Sequence, residues 1–228
     1  MLQVSRRRLA IPLAGLLALL SAVVILAMSG APSARSDSTA TASGQPISAS
    51  ELALRTQMRK LWEDHVTWTR MVIVSVAADL PDRQAAVGRL LANQDDLGEA
   101  IKPYYGDAAG DRLAELLREH IVIAADVLTA AKAGNSEALN AALERWYDNG
   151  DDIAAFLNAA NPRNWPLEEM RQMMREHLDL TTAEAVARLG GDWDADVQAY
   201  DRAHEQVLEM ADMLSAGIVD QFAARFHP

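Results

Sequence analysis

The chain has 228 residues, of which 50% are hydrophobic, 23% charged and 5% aromatic, the profile of one or two folded globular domains rather than a disordered or fibrous chain. It has no cysteine, which excludes disulfide frameworks, thiolate zinc sites, iron-sulfur clusters, cysteine nucleophiles and a lipidated N-terminal cysteine. A formal charge of −11 disfavours nucleic acid as a partner, because phosphate binding needs a cationic face.

Residues 1–28 read as a signal peptide or signal anchor. Arg6, Arg7 and Arg8 form a positive start, and residues 9–28 follow without a charge. About 20 apolar residues suffice to cross a bilayer and exceed a usual signal core of roughly 7 to 15, so length leaves cleavage and retention both open. The arginines orient the segment with its N-terminus inside, which predicts an extracytoplasmic chain, in the periplasm or at the cell surface, secreted or membrane-anchored. Ser5 to Leu9 also has the look of a twin-arginine signal, the export route for proteins already folded. Small-x-Ala cleavage sites stand at Ser29 to Ala31 and at Ala40 to Ala42. Residues 29–47 are small and polar with two prolines, the composition of a flexible linker.

An all-helical domain is predicted over residues 48–228. Ser48 and Glu51 have the spacing of a capping box, in which each side chain satisfies an orphan amide at a helix start. Leu54, Met58, Leu61, Trp62, His65, Trp68, Val72 and Val76 then recur at three and four, which predicts a helix. Breaks follow at Leu80 to Asp82, Pro103 to Asp107, Gly134 to Ser136, Asn161 to Pro166 and Gly190 to Asp192, where stops and caps coincide. Between them lie alanine- and leucine-rich segments with β-branched runs too short for a sheet. The expectation is about six helices.

An internal repeat appears when the histidines are aligned. Leu61 to Val66, Leu116 to Ile121 and Met173 to Leu178 each carry two large apolar residues, a pair rich in acid, a histidine and an aliphatic residue. The segments after them align as well, with Leu90 to Leu97 matching Trp146 to Ile153 and Asp201 to Leu208, so that Asn93, Asn149 and His204 correspond. The unit is a helical hairpin of about 56 residues, present three times over residues 51–106, 107–162 and 164–226, a period near those of helical repeat architectures.

The repeated polar residues are predicted to face inward, because their neighbours three and four positions away are apolar. Such groups need partners, since an unpartnered buried polar group costs about 1 to 3 kcal/mol. In one reading the histidines and asparagines only specify helix packing, in a non-catalytic interaction or sensor module. In another, His65, His120 and His177 meet around a pseudo-threefold axis and hold a transition metal, zinc or copper, with Asn93, Asn149 and His204 in support; a small polar ligand in the same layer is its variant. Only a closed bundle permits this, because hairpins stacked as an open solenoid would keep the first and third repeats apart. A three-histidine zinc with an open position would make an enzyme, and that needs a cleft, for example beside Trp68, Thr69, Trp146 and Tyr147.

The acidic pairs Asp95-Asp96 and Asp151-Asp152 read as solvated helix charge, with Asp96 and Asp152 nearer the core, or as carboxylates behind the imidazoles. The methionines at 170, 173, 174, 210 and 213 have helical spacing and read as core filling. Nucleotide-binding and hydrolase signatures are missing from the sequence.

Trp62 to Arg70, Leu90 to Asn93, Arg145 to Asn149 and His177 to Thr181 together resemble an uncharacterised bacterial all-helical family with a W-E-x-H-x-x-W-T-R motif. The resemblance spans nearly all of residues 52–226 and implies the helical fold. Members tend to carry the labels glycosyltransferase or acetylglutamate kinase. Nothing in these residues supports either, since both activities are expected on nucleotide-binding α/β folds.

Overall fold

A computed structural model describes residues 47–227; the expectations for residues 1–46, which comprise the export segment, both cleavage sites and nearly all of the linker, lie outside the described residues. The described residues form one helical unit. It contains α1 (Ala49–Ala77), α2 (Arg83–Tyr105), α3 (Asp107–Ala133), α4 (Ser136–Ala160), α5 (Leu167–Gly190), α6 (Trp193–Gln221) and a short α7 (Ala223–Phe226). Among the described residues there is no strand, and no helix is long and apolar enough to cross a membrane. The predicted all-α class is observed, and each predicted break contains an interruption, although Pro103 continues α2 and Gly106 alone separates it from α3.

Local chemistry sets the helix ends. The Ser48 hydroxyl accepts from the Glu51 amide at 3.1 Å, as a capping residue does. The reciprocal half of the predicted box is missing, because the Glu51 carboxylate takes the Arg55 guanidinium at 2.8 Å instead. Asn135 and Asp192 cap α4 and α6 through Ala138 and Ala195 amides, each at 3.1 Å. Gly134 and Gly191 end α3 and α5 at φ 66° and 75°, left-handed conformations that cost a side-chain-bearing residue energy.

Consecutive helices pack as neighbours, and α6 returns to α1, so the six long helices close into a ring. Within it α1, α3 and α5, the first helix of each hairpin, also approach one another across the middle. Closure is therefore settled in favour of a bundle and against an open solenoid. The apolar core divides in two, a larger cluster from Leu54 and Met58 to Phe226 and a smaller one around Val72, Val76, Leu90, Ile121 and Leu128.

Trp165, between α4 and α5, is buried against Gly217 of α6. A Cβ at position 217 would lie 2.1 Å from the indole nitrogen. Alanine gains up to about 1 kcal/mol of helix propensity, but overpacking a ring that cannot move costs typically about 1 to 3 kcal/mol. Gly217→Ala is thus expected to lower the urea midpoint with an unchanged slope; a raised midpoint would show that Trp165 moves freely.

Candidate functional site

His65, His120 and His177 sit near mid-length in α1, α3 and α5, and because these helices face the centre, the three side chains meet there. They are 2%, 3% and 4% exposed. The His65 and His177 ring centres are 5.7 Å apart and those of His120 and His177 6.2 Å. Trp62 stands edge-on to His65 at 5.5 Å, and Trp146 lies against His120 at 5.2 Å.

The second helix of each hairpin contributes an amide. The Asn93 side chain donates to the Leu61 carbonyl at 2.9 Å, Asn149 to Leu116 at 3.2 Å and Gln206 to Met173 at 3.2 Å. Each carbonyl lies four residues before a histidine, so it already accepts that histidine's own main-chain N–H. The amide uses the carbonyl's second lone pair and fixes the height of one helix against the histidine-bearing turn of the other.

The third member of this set is Gln206, a correction to the alignment that put His204 there. His204 is 29% exposed and its Nε2 is 3.5 Å from Glu63, so it lies at the rim rather than in the layer. Its ring lies beside Tyr200 on the α6 surface that meets α1. Glu63 is exposed, and two contacts are of the same kind, exposed Asp95 with Arg118 at 3.1 Å and half-buried Asp151 with exposed Arg175 at 3.2 Å. These three pairs join successive hairpins, and Asp96 and Asp152 are exposed rather than near the core.

Hydrogen bonding assigns the tautomers. His120 Nδ1 is 2.8 Å from Asn149 Oδ1, a carbonyl, so Nδ1–H donates and Nε2 keeps a lone pair. His65 Nδ1 is 3.3 Å from the Gln94 amide nitrogen and accepts. Around the layer His120 Nε2, His177 Nδ1, the carbonyls of Gln94 and Gln206, and the indole nitrogens of Trp62 and Trp146 are buried with no hydrogen-bond partner in the protein. Unpartnered polar groups at this density are uncommon in a packed interior.

Burial holds all three imidazoles neutral. It lowers His120 to about 3, with the field of His177 adding to the effect and the Asn149 bond opposing it. His177 is lowered to about 4, again by burial, which the Gln206 amide partly offsets. His65 is pushed well below its ordinary value by burial and then by the other two imidazoles. Neutral imidazole is the form that ligates metals.

For three imidazoles on one ion, metal–nitrogen bonds of about 2.0 to 2.1 Å imply ring centres roughly 5 to 5.5 Å apart. The His65–His177 and His120–His177 separations are within about an ångström of that. Among the described residues, no group of three or more His, Asp or Glu side chains is placed to hold a metal ion.

A second polar cluster, unforeseen in the sequence, lies where α1 meets α5 and α6. Arg70 donates to Glu184 at 2.7 Å and through both terminal nitrogens to Asp196 at 2.8 and 2.9 Å, while Arg188 adds a bond to Asp196 at 3.1 Å. The Glu184 and Asp196 side chains are each 1% exposed. Burial pushes Glu184 up to about 7 despite Arg70, whereas the Arg70 bond holds Asp196 below its usual range. Arg70 also lies 4.9 Å over the Tyr200 ring. With its charges matched internally, the cluster reads as structural. No protein-family model matches the chain, and no curated protein or solved structure is significantly similar to it.

Proposed function

We propose that this protein is an exported or membrane-tethered binding module whose central histidine and amide layer takes up a transition metal, zinc or copper, or a small polar molecule. The observation that carries this reading is the meeting of three neutral imidazoles, two of which present a buried nitrogen without a partner. His65, His120 and His177 would be the ligands, with Asn93, Asn149 and Gln206 fixing the turns that bear them. A sealed layer suits retention rather than turnover, since water-activating metals keep an open coordination position.

The competing reading, in which the layer only specifies packing, is favoured by the thrice-repeated amide bond to the inner helices. The two separate in elemental analysis of the purified full chain after incubation with zinc and with copper. About one equivalent is expected in the parent and none in a combined His65→Ala, His120→Ala, His177→Ala variant that circular dichroism shows to remain helical. No retained metal in the parent would leave the histidines as packing residues.

A further inference from the structure

We infer that the bundle holds a second site, separate from the histidine layer: a dry cavity on the axis of the repeat that takes up an uncharged apolar molecule the size of a dissolved gas such as dioxygen. The register of its wall is the first support. Trp62, Leu117 and Met174 line it from α1, α3 and α5, and Leu97, Ile153 and Met210 from α2, α4 and α6. The first set stands three residues before His65, His120 and His177, and the second four residues after Asn93, Asn149 and Gln206. Every hairpin therefore contributes the same two positions, which puts the space about one helical turn from the layer, toward the end where α1 begins. Equivalent positions that carry an indole, a leucine and a methionine converge on one axis with unequal reach. A close-packed interior has few such gaps.

The second support is the chemistry of the wall. No polar atom faces the space. A water there would find none of the two to four hydrogen bonds that a buried water needs, whereas an apolar cavity stays dry and accepts apolar guests. A guest displaces no water and breaks no hydrogen bond, and its own transfer out of water is favourable. The same wall excludes ions and polar molecules, which would lose their hydration without replacement. The site is thus independent of any ion in the layer, since no layer histidine or amide lines it.

Size and access complete the argument. The volume, about 30 Å³, is roughly two to three times what one water-sized body requires. It admits a diatomic molecule or a single xenon atom and excludes an aromatic ring. The lining residues are buried throughout, so entry requires the wall to move. Met58, Met174 and Met210 supply that movement, because the unbranched methionine side chain adapts its shape more readily than leucine or isoleucine.

The test is an NMR titration of the full chain with isotope-labelled methionine methyl groups, under xenon pressure and then under dioxygen, whose paramagnetism speeds the relaxation of nearby protons. Xenon is expected to shift the Met58, Met174 and Met210 methyls to saturation, and that of Met71, 40% exposed, only in proportion to pressure. Dioxygen is expected to relax the same three methyls more than Met71. Leu117→Phe places a ring where the first hairpin already carries Trp62, and is expected to abolish the saturable shifts. Leu117→Ala enlarges the space, and is expected to raise xenon affinity about threefold or more and to admit benzene, which the parent refuses. Met71 behaving like the three inner methyls, xenon shifts without dioxygen relaxation, or benzene binding by the parent would overturn the inference. So would saturable shifts retained in Leu117→Phe, or, should that variant not fold, equal xenon affinity in the parent and Leu117→Ala.

Discussion

On going from pH 7 to pH 4.5 in the presence of a chelator, the bundle is expected to lose roughly 5 kcal/mol of stability, a third or more of the about 5 to 15 kcal/mol typical of a folded domain. The cause is the histidine layer. In the unfolded chain each imidazole takes up a proton near its ordinary value of 6.5, whereas in the fold His120 and His177 resist until about 3 and 4, and His65 is likewise held well down. Their contribution is fully present above pH 6.5 and is lost as the pH falls below it, because the unfolded state then binds three protons that the folded state refuses. Glu184 acts in the opposite sense. Its folded value of about 7 stands above the ordinary 4.5, so between these limits the fold binds a proton that the unfolded chain does not. The net uptake on unfolding is two protons, or about 2.7 kcal/mol per pH unit. Below pH 4.5 Glu184 ceases to oppose, but folded His177 then begins to take up its own proton, so the slope does not steepen. Urea midpoints at pH 7, 6 and 5 measure this directly. Replacing His120 by leucine should flatten the dependence by about 1.4 kcal/mol per unit, and equal midpoints at pH 7 and 5 would show that the imidazoles are not held neutral.

Arg70→Ala is expected to cost about 3 to 5 kcal/mol, the loss typical of breaking a buried ion pair by removing one partner. It strands Glu184 and Asp196, each 1% exposed, with only Arg188 left to face Asp196. Lysine should rescue little, since one ammonium cannot reproduce a guanidinium that reaches two carboxylates on two helices. Glu184 lies seven residues after His177, and the same step from His65 and His120 reaches Val72 and Val127, both buried. The other hairpins are therefore apolar at this point, and a combined Arg70→Ala, Glu184→Val, Asp196→Ala variant should recover most of the loss. If Arg70→Ala alone left the thermal midpoint unchanged, the cluster would be too well hydrated to matter; a destabilisation of this size in a domain of this length lowers it by several degrees.

Much of this architecture was legible in the chain. Proline and glycine punctuation marked the helix ends because those residues act on the backbone locally. The inward direction of His65, His120 and His177 followed from their apolar neighbours and is borne out by their burial. Closure was not legible, since helical periodicity says which face is apolar and nothing about which helix will cover it. The His204 alignment failed because it matched residue character along one segment instead of distance. From Asn149 to Gln206 is 57 residues, the same step as from His120 to His177, and that spacing was the available signal. Gln94 sat beside the residue singled out and was passed over for lack of a repeated counterpart. Arg70 stood within the W-T-R motif, but its partners are more than a hundred positions away, and only the closed ring brings them together.

That ring has a further consequence for how such a chain keeps its order. Five of the six lateral joints are spanned by a short connection, so the polypeptide itself prevents the two helices from sliding. The sixth, between α6 and α1, has no covalent link, and there the clasp of Arg70 with Glu184 and Asp196 takes its place. At the other end of this joint His227 Nε2 lies 3.5 Å from Glu51, so the segment after α7 rests beside the first turn of α1. Geometrically the three hairpins form a cycle without a beginning. The buried charges mark the one place where that cycle is cut, and do by side-chain geometry what a loop does elsewhere.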